Sequence, residues 1–215
     1  MSRLKRIILA SVATAFGYFA VKGVFAYTAE RRQRQVFPAK DAPALLNPLR
    51  SIIMPPGKAV RRYRLAEGET VLELGPGPGW YSREASRAVG ESGRLICVDI
   101  QRDMLDILRR RIHEDGCAAD LVAGDAMRLP LRDRTVDCVF LVTVLGELPD
   151  HAAAVEELAR ITRAKGRVCF TESFGDPDYV LARELRRMAT SAGLQEEAFY
   201  RDPVGYTIVF RTANI

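Results

Sequence analysis

Histidine and cysteine are scarce in this chain, which holds two of the first and four of the second in 215 residues. Neither His113 nor His151 has a histidine or cysteine partner at ligand spacing, so no metal site is expected. The cysteines do not make a disulfide framework either. Cys97, Cys138 and Cys169 fall in apolar runs that read as core strands, where thiols act as small hydrophobes, and Cys117 sits on a helix-to-strand turn. Internal repeats and low-complexity tracts are absent. So is a basic tract interleaved with aromatics: the net charge is +5 and the pI about 9.2, but the arginines are dispersed over helices, and no nucleic-acid partner is expected.

Long apolar runs are also rare, with one exception. Residues 7–27 are apolar or small apart from Lys22, and twenty-one residues in a helix rise about 31 Å, enough to cross the hydrocarbon core of a bilayer. Arg3, Lys5 and Arg6 precede the run and Arg31, Arg32 and Arg34 follow it. Residues 1–30 are therefore read as an N-terminal hydrophobic helix that anchors the chain in a membrane. A helix lying in the interface or packed on another subunit, and a cleaved secretory signal ending at Val24-Phe25-Ala26, are the alternatives. Residues 31–66 follow as a linker and cap segment. Pro38, Pro43 and Pro48, with Asp41 and Asn47, indicate an extended linker ending in turns, and Pro56 to Tyr63 suits a short helix.

From residue 67 the chain alternates strand and helix, the pattern of a parallel sheet covered on both faces. Helices are expected over Tyr81 to Val89, Gln101 to Glu114 and Asp150 to Thr162, and one is marked by Leu181, Leu185 and Met188. Glu196 to Tyr200 and Tyr206 to Arg211, joined by a loop at Arg201 to Gly205, suit an antiparallel hairpin. The chemistry concentrates at Val71-Leu72-Glu73-Leu74-Gly75-Pro76-Gly77-Pro78-Gly79-Trp80, an apolar strand running into three alternating glycines. Glycines there let backbone N–H groups approach a ligand where a Cβ would collide. A dinucleotide fingerprint would need a further glycine where this chain continues with Trp80. A second apolar strand closes on Asp99, about twenty residues on, where a carboxylate suits two ribose hydroxyls. Asp125 follows a third, where a carboxylate beside a backbone N–H suits an adenine edge.

With Glu73-Leu-Gly-Pro-Gly-Pro-Gly79, Val98-Asp99, Gly124-Asp-Ala-Met-Arg-Leu-Pro130, Val136 to Leu141 and Leu158 to Gly166 in this order, the chain resembles the class I S-adenosylmethionine-dependent methyltransferases, in particular the type 11 group that includes quinone methyltransferases. The resemblance covers roughly residues 50 to 211. It implies an α/β fold, a doubly wound and mostly parallel seven-stranded sheet with a C-terminal antiparallel hairpin, over residues 67–215. It implies S-adenosylmethionine as cofactor, held by Glu73, Gly75, Gly77, Gly79, Asp99, Ile100, Asp125 and Ala126. For Glu73 a capping role, for Asp99 a strand-terminal cap and for Asp125 a turn-forming role are the plain alternatives.

Methyl transfer from a sulfonium is an in-line displacement that needs a base only when the acceptor must lose a proton. Glu147 and His151, after the fourth strand, are the acid-base candidates, with Glu172 at the end of the fifth as a third; capping of the next helix is the alternative for the first two. Many relatives have histidine within the stretch that reads Leu145-Gly146-Glu147-Leu148 here. The connection after Glu172 is short, so the acceptor's cover must come from the segment before the first strand, the membrane or a partner subunit. A small, lipophilic acceptor reached at the membrane surface, and a single-pass topology with the catalytic domain in the cytoplasm where the donor is made, are the resulting expectations. A membrane-tethered donor-binding module without turnover and a nicotinamide-dependent oxidoreductase are the alternatives, and the sequence leaves the oligomeric state open.

Overall fold

The computed structural model describes residues 36–47 and 54–213. The apolar run at residues 7–27 lies outside them; among the described residues no helix is long and apolar enough to cross a membrane.

Five strands run parallel: β1 (Thr70–Leu74), β2 (Arg94–Asp99), β3 (Asp120–Ala123), β4 (Val136–Val142) and β5 (Thr162–Ser173). The hairpin β6 (Leu194–Asp202) and β7 (Gly205–Thr212) completes the sheet, with β7 inserted antiparallel between β5 and β6. The order β3-β2-β1-β4-β5-β7-β6 reverses direction at β1, which pairs with β2 on one side and β4 on the other. In such sheets the crevice beyond the carboxyl ends of the strands at the reversal is the place for a ligand.

Burial on both faces explains why the inner strands read as unbroken apolar runs. On one face Leu72, Leu74, Val98, Val139, Phe170 and Phe210 pack beneath α5 (His151–Ile161) and α6 (Ala182–Ser191). On the other, Val71, Cys97, Cys138, Phe140, Cys169 and Val209 lie beneath α2 (Pro56–Tyr63), α3 (Ser82–Val89) and α4 (Arg102–Glu114). The strand cysteines are thus buried core side chains, as their apolar neighbours predict, and Cys117 is half-buried just past α4. α4 turns Met104, Leu105, Leu108 and Ile112 inward, and α5 is capped by Asp150, whose carboxylate accepts the Ala153 N–H at 3.1 Å.

Three details differ from the sequence reading. The stretch taken as an extended linker contains a 3-10 turn, Ala39–Asp41, and a one-turn helix, α1 (Ala42–Leu45). Pro43 stands in its first turn, where a fixed φ suits the helix and a missing N–H costs nothing. Leu181 is not a core residue of α6; it is the N-cap and is 40% exposed, and Leu185 and Ala189 fill the buried face instead. The hairpin loop shrinks to Pro203 and Val204, because Ser173 pairs with Gly205 and draws β7 out to its full length. A Cβ at Gly205 would overlap the Glu172 carbonyl, so the pairing requires glycine there.

α2 is fastened to this hairpin. Tyr63 stacks on Phe140 at 5.0 Å, and its hydroxyl and the Thr171 hydroxyl share a 2.6 Å hydrogen bond. Asp202 accepts from Lys58 at 2.6 Å and from both terminal nitrogens of Arg62 at 2.5 and 3.1 Å, and the Arg62 pair is mostly buried. The Arg62 hydrogen bond, followed by burial working against it and by Lys58, holds the Asp202 carboxyl below its usual range. Asp202→Ala is expected to cost about 1 to 2 kcal/mol in denaturant unfolding and to speed amide exchange in α2. The difference from the unsubstituted chain should shrink as pH falls through the depressed pKa of Asp202.

Candidate active site

Beyond Leu74 the chain leaves the sheet through Gly75, Gly77 and Gly79, all at positive φ. The Gly75 N–H donates to the Val98 carbonyl at 2.8 Å, which ties the turn to β2. Gly79 has no room for a side chain, since a Cβ there would overlap Leu108 of α4. Above Gly77 lies Leu45 of α1, at 3.6 Å from where a Cβ would stand.

Asp99 ends β2 and is 7% exposed. Its Oδ1 accepts the Gln101 N–H at 2.9 Å. Burial raises its pKa, and hydrogen bonding to the N–H groups of Gln101, Gly77 and Ile100 works the other way. The glycine turn and this acid, twenty residues apart in sequence, therefore meet. The Ile100 side chain stands 59% exposed at the rim.

Glu73 points beneath the turn toward α3. Its Oε2 accepts the Ser82 hydroxyl at 2.5 Å and the Cys97 thiol at 3.7 Å, and the residue is 3% exposed. Burial pushes its carboxyl up to about 7, against the Ser82 and Cys97 hydrogen bonds and with help from Asp99. On the other side, the Gly124 N–H donates to the Asp99 carbonyl at 3.0 Å, which sets Asp125 and the buried Ala126 just past β3. Asp125 Oδ1 accepts the Met127 N–H at 2.9 Å, the geometry of a turn-forming aspartate.

After β4, Thr143 adopts φ +53 and its N–H donates to the Thr171 carbonyl, turning the chain into a 3-10 segment, Leu145–Glu147. Gly146 packs directly on the Asp178 carbonyl, with no space for a Cβ. Of the two base candidates after β4, Glu147 reaches the Phe37 backbone. Its Oε2 accepts the Phe37 N–H at 3.4 Å, and burial, opposed by that bond and aided by Asp176, Asp178 and Asp99, pushes it up to about 7. His151 turns back on its own loop, with Nε2 3.4 Å from the Gly146 carbonyl.

Within the segment expected to act as a cap, residues 31–66, the sequence did not single out Phe37, which forms a strap. Gln101 Nε2 donates to the Phe37 carbonyl at 2.8 Å, so one residue, through its main-chain N–H and C=O, joins the end of β4 to the end of β2 across β1. A small crevice of about 30 Å³, partly open to solvent, continues on the other side of the turn. It lies between α2 and the ends of β5 and β7, lined by Met54, Ala59, Tyr81, Thr171 and Thr207 among others. Trp80 Nε1 and the Tyr81 hydroxyl donate to the Met54 carbonyl at 3.3 and 3.5 Å, so the two aromatics after the glycines brace its wall.

These features suit an adenosyl sulfonium: a glycine turn without side chains, a carboxylate beside it for vicinal hydroxyls, and buried acids facing a cation. They also make the unliganded protein sensitive to pH. A carboxyl whose folded pKa is raised binds protons that the unfolded chain has already released, so its burden on stability grows as pH climbs from the usual 4.5 to about 7 and is constant above. Glu73→Gln keeps an acceptor for Ser82 without the titration. The variant is expected to gain about 2 to 3 kcal/mol relative to the unsubstituted chain between about pH 4 and about pH 8, measured by denaturant unfolding at each pH.

Residues 71–166 match a family described as a methyltransferase domain. An uncharacterized 37.1 kDa protein in a transposon of Streptomyces fradiae is 38% identical over 129 residues, which are 57% of this chain and 37% of that protein. Demethylmenaquinone methyltransferase of Oceanobacillus iheyensis is 31% identical over 115 residues, 53% of this chain and 48% of that protein. The match thus spans about a third to a half of the length of these relatives. A SAM-dependent methyltransferase from Aquifex aeolicus shares the fold with a TM-score of 0.77 and 23% identity, over 83% of this chain and all of that one. The glycine turn and Asp99 thus converge at the sheet's reversal point, within the residues that match this methyltransferase-domain family and on the fold of S-adenosylmethionine-dependent methyltransferases.

Proposed function

We propose that this protein transfers a methyl group in line from S-adenosylmethionine to a small, lipophilic acceptor reached from a membrane surface. The convergence of the Gly77 N–H on the Asp99 carboxylate, with Glu147 across the end of β1, carries the reading. Gly75, Gly77 and Gly79 let the backbone close on the methionine part of the cofactor, with Glu73 beneath them. Asp99 with Ile100 holds the ribose, and Asp125 with Ala126 holds the adenine.

When bound, S-adenosylmethionine supplies a methyl group already activated by a positively charged sulfur. The chain's own work is to orient the acceptor and exclude water, which accounts for much of the acceleration of such a displacement. Phe37 and Leu45 roof the cofactor side, and the crevice beneath α2 receives the acceptor. Met54, Pro55, Ala59 and Tyr81 give it an apolar wall beside the charged Lys58, Arg62, Glu172 and Asp202. Glu147, half-ionised near neutral pH, is the first candidate to take a proton from an acidic acceptor, and His151 the second. Residues 7–27 would anchor the chain with its catalytic domain, residues 67–215, in the cytoplasm. A relative named for demethylmenaquinone supports a ring-bearing lipid acceptor.

Calorimetry should show binding of S-adenosylhomocysteine and none of NAD. Asp99→Ala should weaken that binding by about 1 to 3 kcal/mol while leaving unfolding cooperative. With labelled donor and a membrane extract, label should enter the lipid fraction; label confined to water-soluble products would refute the lipophilic acceptor. Recovery of the full-length chain as soluble protein after a carbonate wash would refute the anchor.

A further inference from the structure

Glu172, the penultimate residue of β5, is 2% exposed. Its Oε2 accepts the Val180 N–H at 3.4 Å, while Oε1, also buried, has no hydrogen-bond partner among the described residues. A buried carboxyl oxygen in this state is completed by a proton or by a ligand.

Lys58 and Arg62 of α2 line the same crevice as Glu172, but both are engaged by Asp202, and the described groups that act on Glu172 itself include no cation. Asp176 and Tyr179 come from the connection between β5 and α6, Tyr206 from β7, and Glu147 from the turn after β4. Arg201 acts on Tyr179, and Arg186, with the acid Glu184, on Tyr206. Burial, then the charge of Asp176, with Glu147 adding to it, pushes Glu172 up to about 8 against the Val180 hydrogen bond. Asp176 also faces Glu147, which in turn feels Asp178 and Asp99. None of the ion pairs among the described residues includes Glu73, Asp99, Glu147 or Glu172. The carboxyl end of the sheet therefore gathers acids that lack a basic partner, next to the place where the cofactor's cationic sulfur belongs.

Resting on the methyl-transfer reading, we propose that Glu172 and Glu147 form a proton-holding pair that balances the charge of the cofactor and accepts the proton of a hydroxyl-bearing acceptor. The pair holds a proton when the site contains the demethylated product or no ligand, and releases it when the positively charged donor enters. In the transfer step the acceptor's O–H bond breaks and its proton goes to a carboxylate of the pair. An electron pair of the acceptor oxygen forms the bond to the methyl carbon, and the pair of the broken C–S bond stays on sulfur. One positive and one negative charge disappear together, so the buried site keeps its net charge throughout. The substrate class that follows is a phenol or enol, an acceptor that loses one proton as it gains the methyl group.

The test is calorimetry of the full chain with S-adenosylmethionine and, separately, S-adenosylhomocysteine, in two buffers of different ionisation heat at about pH 7.5. S-adenosylmethionine should release up to about one more proton than S-adenosylhomocysteine, and the ratio of the two affinities should rise up to about tenfold per pH unit through this range. Glu172→Gln, which keeps an acceptor for the Val180 N–H, and Glu147→Gln should each reduce the excess release, and the double substitution should abolish it. Equal proton release by the two ligands in the unsubstituted protein overturns the proposal, with no need for a variant that folds. So does an excess that survives the double substitution. Failure of both ligands to bind refutes the methyl-transfer reading itself and is told apart from either result.

Discussion

The carboxylate of Asp99, held among the N–H groups of Gly77, Ile100 and Gln101, is the interaction on which the site depends. β2 delivers it to the carboxyl end of the sheet, and the glycine turn of β1 closes against it. A side chain at Gly79 would push the turn off α4, and the meeting of turn and acid would be lost. Gln101, two residues past Asp99, also holds the Phe37 carbonyl, so the floor and the roof of the crevice are set from the same strand end. The reversal of strand order leaves a gap there, and these contacts turn it into a site of defined shape.

Much of this was legible in the sequence, for identifiable reasons. The inner strands are buried on both faces and so write themselves as apolar runs, and the helices show their periodic faces, as Met104, Leu108 and Ile112 do in α4. Asp150 announces α5 because a cap needs a side-chain acceptor. The spacing of Gly75, Gly77 and Gly79 from Asp99 carried the fold and the cofactor, since few arrangements need both. The strap escaped because Phe37 is gripped through main-chain atoms, by residues 64 and 110 positions away, and a backbone contact leaves no residue pattern to read. Glu172 stood out only as an acid at the end of a strand; its isolation depends on Asp176, Tyr206 and Val180, which the fold alone brings around it.

The electrostatics divide the molecule. The excess of basic residues gives the chain its net charge of +5, and many of the arginines are engaged in ion pairs around the periphery, with Glu157, Glu196 and Glu197 among their partners. The carboxyl end of the sheet is the opposite, with Glu73 and Glu172 buried, Glu147 half-buried, and all three pushed toward the neutral form. Burying acids without bases is costly to a fold. Under the proposed methyl transfer the site would receive a cation and hand back a neutral thioether, and its charge demand would change with each turnover.

The grip on Phe37 has a consequence for how such a site can diversify. A latch made from one residue's own N–H and C=O works for almost any residue that can take the same backbone conformation, proline excepted for want of a donor. The side chain of residue 37 is thereby left free of this contact. Relatives could exchange it for a side chain of different girth or greasiness, while the latch between the ends of β4 and β2 stays as it is.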